Sequence, residues 1–162
     1  MFATLGQWWR YLLGKRSEVA QMDYKDAYMG KVVLDIHRKR RDKRTVLVPL
    51  EKLEPIHRID RQNALDATLA RTEALRAHRD ALLATRTLDG AALQAIIPSV
   101  SAIKVVADGD RWLAFEGNGR LYAMREAFAA GDGMRVEVEE YLFDDARSIR
   151  RRLARVRRLN RL

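Results

Sequence analysis

"WLAFEGNGRLYAMREAF", Trp112 to Phe128, is the stretch on which the fold turns. It opens as an apolar strand and breaks at Gly117, Asn118 and Gly119. From Arg120 it restarts as a helix with Leu121, Met124 and Phe128 on one face. A strand that turns directly into a helix leaves unpaired backbone N–H groups and the positive end of the helix dipole at the turn, a natural seat for an anion. Glycine permits positive φ there and lets the backbone approach a ligand closely. Arg120, in the first turn, carries a planar guanidinium that matches two phosphate oxygens at once. The simpler use of the same residues is a tight turn with Arg120 salt-bridged to Glu116 or to a helix acid, and the turn by itself allows both.

Upstream of this stretch, "AIKVVA" at 102–107, the turn "DGD" at 108–110 and "RWLAFE" at 111–116 predict a β-hairpin. Downstream, Gly131 is expected to end the helix. "MRVEVEEYLF" at 134–143 then predicts a strand, with Val136 and Val138 alternating against Glu137 and Glu139. Before the hairpin, Asp89 can cap a short helix, "AALQAII", stopped at Pro98. Residues 63–85 contain neither Gly nor Pro and predict one long helix. Ala67, Ala70, Ala74, Ala77, Ala81 and Ala84 form a seam of small residues on it, and Leu65, Leu69, Leu75, Leu82 and Leu83 widen the apolar face. Such a seam admits another helix of this chain or the same helix of a second subunit in a homo-oligomer. Arg71, Glu73, Arg76, Arg79 and Asp80 read as its wet face. The expected fold class is α+β, a small mixed sheet flanked by helices.

Composition narrows the chemistry. At 162 residues and 48% apolar, the chain can bury one core. It has no cysteine, which excludes disulfides, thiolate metal sites and cysteine nucleophiles. His37, His57 and His78 show no helical or strand pairing, so a metal site would rest on carboxylates. The segment "MFATLGQWWRYLLGKR" has no cation ahead of its apolar stretch and no small-residue cleavage site, and its uncharged run is too short to span a bilayer. It predicts a helix that packs Trp8, Trp9, Leu12 and Leu13 on the domain, or an interfacial anchor with Arg10, Lys15 and Arg16 toward lipid phosphates. No transmembrane segment and a cytoplasmic location are the expectations.

Charge is unevenly placed. Lys and Arg total 31 against 22 acids, a net of +9. Residues 146–162 hold eight arginines and no acid, so the rest carries 23 cations against the same 22 acids. A second run, "HRKRRDKR" at 37–44, has six cations and one acid, which leaves the remainder at −4. In the C-terminal run Ile149, Leu153, Val156 and Leu159 make an apolar helical stripe opposite the arginines, with Asp144 and Asp145 in capping position. The earlier run lies between "KVVLDI" and "TVLVPL", both strand-like, and is expected at a hairpin tip or in a loop. Arg38, Lys39, Arg40 and Arg41 in one run, and Arg150, Arg151, Arg152, Arg155 and Arg158 in the other, are candidate contacts to DNA or RNA phosphates, or to an anionic membrane. A solvated basic face explains the same residues without a ligand. Three parts result: 1–44 with the N-terminal helix and basic hairpin or loop, 45–145 as the body, and 146–162 as the basic helix.

Within the body, "VPLEKLEP" at 48–55, "LQAIIPSVSAIKVVADGDRWLAFEGNGRLYAMREA" at 93–127 and "VEVEEYLFDD" at 136–145 resemble the ParB-like domain of the ParB/sulfiredoxin superfamily. Gly117, Arg120 and Ala123 match its G-x-x-R-x-x-A motif at every fixed position. The resemblance implies phosphate binding by Gly117, Asn118, Gly119 and Arg120. Relatives use this turn for CTP in chromosome partition, for ATP in sulfiredoxin, and for a nucleotide in a free-serine kinase. Arg58 and Arg61, in "PIHRIDRQ", fall where relatives often place a ligand-facing arginine. Asn118 stands where sulfiredoxin has its cysteine, so sulfiredoxin chemistry is excluded. The E-N-x-x-R motif and a helix-turn-helix domain are not found in these residues, so a stand-alone form of the domain is the expectation. Glu116 matches the acid that kinase-like members carry before the glycine, and would hold Mg²⁺ or act as general base beside bound ATP or CTP. The expected function is a nucleotide-binding switch or slow phosphohydrolase or phosphotransferase. The alternatives are a nuclease-like or nucleic-acid-binding accessory protein working through the basic runs, and a non-catalytic interaction module.

Overall fold

A computed structural model describes residues 24–97 and 101–162. The expected helix around Trp8 and Trp9 lies outside the described residues. The first element is helix α1, Tyr24–Lys39, where the reading above placed a strand at 31–36. Helix wins because Val32 and Ile36 are buried with Tyr28, Met29 and Val33 packed beside them, a three-to-four spacing that no strand can place on one side. His37, Arg38 and Lys39 therefore form the last turn of a helix, where cations complement the dipole. The rest of the basic run enters strand β1, Asp42–Pro49. It is not the tip of a hairpin.

A 3-10 turn at Leu50–Lys52 leads to β2, Leu53–Pro55, and then to α2, Gln62–Ala77, and α3, Arg79–Thr85. The expected single helix over 63–85 is broken at His78, whose φ of −110° and ψ of 13° leave the helical region. Arg76 and Arg79, on either side of the break, donate to the carbonyls of Glu126 and Ala127. Within this chain the packing face is not the alanine seam: Ala70, Ala77, Ala81 and Ala84 are exposed, whereas Thr72, Leu75 and Leu82 are buried.

The remaining elements are β3, Thr87–Leu88; α4, Gly90–Ile96; β4, Ile103–Asp108; β5, Arg111–Glu116; α5, Asn118–Ala127; β6, Arg135–Leu142; and α6, Ala146–Leu159. Two caps act as expected: the Asp89 carboxylate accepts from the Ala92 amide at 2.8 Å, and that of Asp145 from the Ser148 amide at 3.2 Å. Helix α5 ends at Ala127, before Gly131, because Phe128 turns to an extended φ of −125° and buries its ring.

The mixed six-stranded sheet runs β1-β6-β4-β5-β2, with β3 also paired to β6. β1 lies antiparallel to β6 along its whole length, from Asp42 opposite Leu142 to Pro49 opposite Arg135. β4 and β5 are the predicted antiparallel hairpin, and the β4–β6 and β2–β5 pairs are parallel. Helices cover both faces. On one, Leu75, Leu82, Leu93, Leu121 and Met124 pack on Ile103, Val105, Ala114, Val136 and Val138. On the other, Val32, Ile36, Ile149, Leu153 and Val156 pack on Val106, Leu113, Phe115 and Tyr141. α1 and α6, read above as flanks, thus complete the second core, and the expected boundary at 44/45 falls inside β1.

Candidate functional site

The strand-to-helix turn is built as follows. β5 ends at Glu116, and Gly117 takes φ +90° as the N-cap of α5. A Cβ at Gly117 would meet Arg120 Nη2 at 2.8 Å and the Ile103 Cα at 3.2 Å, so glycine is required by both conformation and space. Arg120 folds back over it. The next residue departs from the reading above. Asn118 is buried, its Oδ1 accepts from the Ile56 amide at 2.9 Å, and its Nδ2 donates to the Ala114 carbonyl at 2.9 Å. Its side chain ties the end of β2 to β5 and is not free to hold a ligand. Ala123, the last motif position, is fully buried and lets α5 lie close to the sheet.

Gly119 faces α2. A Cβ there would lie 3.2 Å from Thr68 Oγ1 and 3.5 Å from Arg71 Nη1. α2 therefore delivers Arg71 to the turn, where it stands beside Arg120 closely enough to oppose its charge. Neither guanidinium hydrogen-bonds or ion-pairs with any described residue, and Arg120 Nη1 is buried with no partner. Burial pushes the Arg120 guanidinium below its usual range, Arg71 pushes it further, and Glu116 offsets part of that. Two adjacent cations, one of them half-desolvated and without an acid in contact, are an arrangement that an anion would stabilise.

Glu116 does not pair with Arg120. Its Oε1 accepts from His37 Nε2 at 2.5 Å and its Oε2 from Lys104 Nζ at 2.5 Å, which fastens α1 to the sheet. Burial alone would raise this carboxyl, but the bonds from Lys104 and His37 outweigh it and hold it below the ordinary value. The same bond raises Lys104 above its ordinary value. Behind His37, the Tyr141 hydroxyl approaches Nδ1 at 3.4 Å and accepts from Arg40 at 2.9 Å. Each Glu116 oxygen is thus already engaged by a side-chain donor, an arrangement that suits an anchor between α1 and the sheet.

Arg58 and Arg61 are engaged elsewhere: Arg58 donates to the Arg161 carbonyl at 2.7 Å and Arg61 to Asp26 at 3.2 Å. Arg58 also borders a groove of about 410 Å³ with Ile59, Leu65, Thr68, Tyr122 and Glu126, so the groove and the turn share Thr68. A roomier cavity of about 520 Å³ lies against Leu50, Phe128 and Met134 and includes no residue of the turn.

The basic residues divide. Arg40 lies over the Tyr141 ring, Arg41 is 3.5 Å from Asp144, Arg150 is 3.8 Å from Asp108, and Arg152 is 2.5 Å from Asp35. Arg155 lies over the Tyr28 ring and donates to the Tyr24 hydroxyl. Arg38, Lys39, Arg151 and Arg158 are exposed and without an ion pair to any described residue.

Sequence reasoning missed Arg71, taken for wet-face charge, and also His37 and Lys104. The signal for Arg71 was present: Thr68, Thr72 and Leu75, spaced four and three, mark the packing face of α2, and Arg71 borders it. The alanine periodicity on the far side masked it. Comparison with family models, with curated proteins and with solved structures gives no match for this chain.

Proposed function

We propose that the Gly117–Arg120 turn, completed by Arg71, binds the phosphates of a nucleoside triphosphate, ATP or CTP, and that the protein is a nucleotide-responsive binding module. The observation that carries this reading is the pair of acid-free guanidiniums at the turn, with Arg120 Nη1 buried and unpartnered. A phosphate oxygen there would satisfy the orphaned donor, neutralise two like charges and meet the amides of Asn118 and Gly119, which precede the first helical bonds of α5. The motif residues Gly117, Arg120 and Ala123, through their likeness to ParB-like domains, favour a nucleotide over a simple anion. Among this chain's residues, Arg71 and Arg120 grip, Gly117 and Gly119 give room, and Asn118 holds the turn in shape. Glu116 stays an anchor for His37 and Lys104, and the proposal routes no hydrolysis or metal binding through it.

The test is a thermal-shift screen of the four NTPs with and without Mg²⁺, followed by calorimetry on any that stabilise the fold. ATP or CTP is expected to bind saturably, and Arg120→Ala and Arg71→Ala each to abolish the binding. Unchanged affinity in both variants would sink the proposal, as would the absence of any stabilising NTP.

A further inference from the structure

The densest charge in the chain lies on the opposite face of the sheet from the turn. α1 and α6 pack there side by side: Asp35 meets Arg152 at 2.5 Å, and Tyr24 and Tyr28 meet Arg155. These contacts run the two helices against each other, so that the last turn of α1 lies toward the first half of α6. The Asp35 carboxyl records the outcome, held below its usual value first by its bond from Arg152 and also by the charges of Lys39 and Arg38. Basic residues more than 100 positions apart thus share one surface.

Packing also sorts the charges. The acids of the two helices are taken up: Asp26 by Arg61, Asp35 by Arg152, while α6 contains none. The inner arginines are taken up with them. What remains outward is Lys31, Arg38 and Lys39 on α1 with Arg147, Arg151 and Arg158 on α6, all exposed and without an ion pair to any described residue. On α6 these arginines recur at intervals of four and seven residues, so they stand along one side of the helix about 6 and 10 Å apart.

We propose that this two-helix face binds the phosphate backbone of a nucleic-acid duplex. Guanidiniums held in a row on a rigid helix match a row of phosphates, each through a charge-assisted pair. A single strand would need outward aromatic rings for its bases, and among the described residues of the two helices Tyr24 is the one exposed ring. A membrane surface would need a continuous apolar stripe, and among the described residues of the two helices Leu34 is the one large aliphatic side chain that is exposed, because Ile149, Leu153 and Val156 are buried against the sheet. The outward groups are ammoniums and guanidiniums suited to phosphates, so the proposed binding is to the backbone and not to a base sequence.

The test uses the full chain without nucleotide, which separates it from the triphosphate reading. Fluorescence anisotropy is followed with a short labelled DNA duplex, the matching RNA duplex and the single strand, from about 50 to about 200 mM salt. A duplex of either kind is expected to bind more tightly than the single strand. Replacing Arg147, Arg151 and Arg158 together by Ser should weaken duplex binding at least about tenfold and reduce the log–log salt slope by about 2 to 3, near 0.9 per lost phosphate contact. Thermal melting of that variant should fall by no more than a few degrees, the cost of lower helix propensity, since the three side chains have no hydrogen bond or ion pair with a described residue to lose. Equal duplex binding by the variant overturns the proposal. So does preference for the single strand, or binding to phosphatidylserine vesicles with none to duplex.

Discussion

The two faces of the sheet treat arginine in opposite ways. Under α2 and α5, Arg71 and Arg120 are brought together with no acid in contact, and one donor nitrogen is buried and unpartnered. Under α1 and α6, the inward arginines each have a carboxylate or an aromatic ring, Arg157 included although its Nε is buried without a partner, and those with no ion pair to a described residue stand in water. An unpaired charge in water costs little, and its effect comes from number. An unpaired charge under cover is costly, and its persistence points to something that completes it. The faces therefore predict different behaviour: a few residues with large, specific effects on the first, and graded, salt-sensitive effects on the second.

The sharpest way to break this contrast is to ask whether the basic helix is part of the body at all. Leu153 is fully buried in the second core, so Leu153→Ala should cost about 3 kcal/mol in chemical denaturation. A loss under about 1 kcal/mol would mean that α6 is a detachable arm. Next, Asn118→Ala removes the acceptor of the buried Ile56 amide and should cost about 2 kcal/mol, loosening β2 from β5. Arg120→Met goes the other way: with no partner to lose and a desolvated charge removed, the ligand-free protein should gain about 1 kcal/mol while losing its response to NTP. A destabilised variant would show that Arg120 is satisfied already.

Acid titration sharpens the picture at the junction of the two faces. The folded Glu116 carboxyl sits below its ordinary 4.5, so its stabilising contribution is complete above that value and is lost as pH falls through it. Glu116→Gln should flatten the decline in stability below about pH 4.5 without abolishing it, because Glu139, Asp35 and Asp60 are lowered as well. An unchanged slope would remove Glu116 from the account. The smallest effect belongs to the wet pairs: Arg41→Ala, which breaks a 3.5 Å contact between two exposed groups, should move stability by less than about 0.5 kcal/mol.

How much of this was legible in the sequence depended on whether the signal was local. The hairpin, the strand-to-helix turn, β6 and α6 with its Asp145 cap were readable because short-range periodicity and turn chemistry specify them. α1 was misread because "KVVLDI" is β-branched and apolar, and only the positions before it, Tyr28 and Met29, complete the helical spacing. The alanine seam misled for the converse reason: regular spacing reported propensity, while burial followed Thr72 and Leu75. In the site, Gly117, Arg120 and Ala123 carried a motif, with Gly119 inside it, and could be named. The contributions of Arg71, His37 and Lys104 arise from packing between elements far apart in sequence, which no local pattern encodes. Asn118 was named, but as a ligand group; its inward turn depends on where the Ile56 amide ends up.

The pairing of the first described strand with the last also sets an order of events. β1 has its whole hydrogen-bonded partner in β6, and Tyr24 meets Arg155 across 131 residues. During synthesis β1 cannot find its strand partner, nor α1 its helix partner, until β6 and α6 have been made. Contacts of such long range slow folding and leave strand edges open meanwhile. The charged tip of β1, Asp42-Lys43-Arg44, is well placed to keep that waiting edge from pairing with another chain.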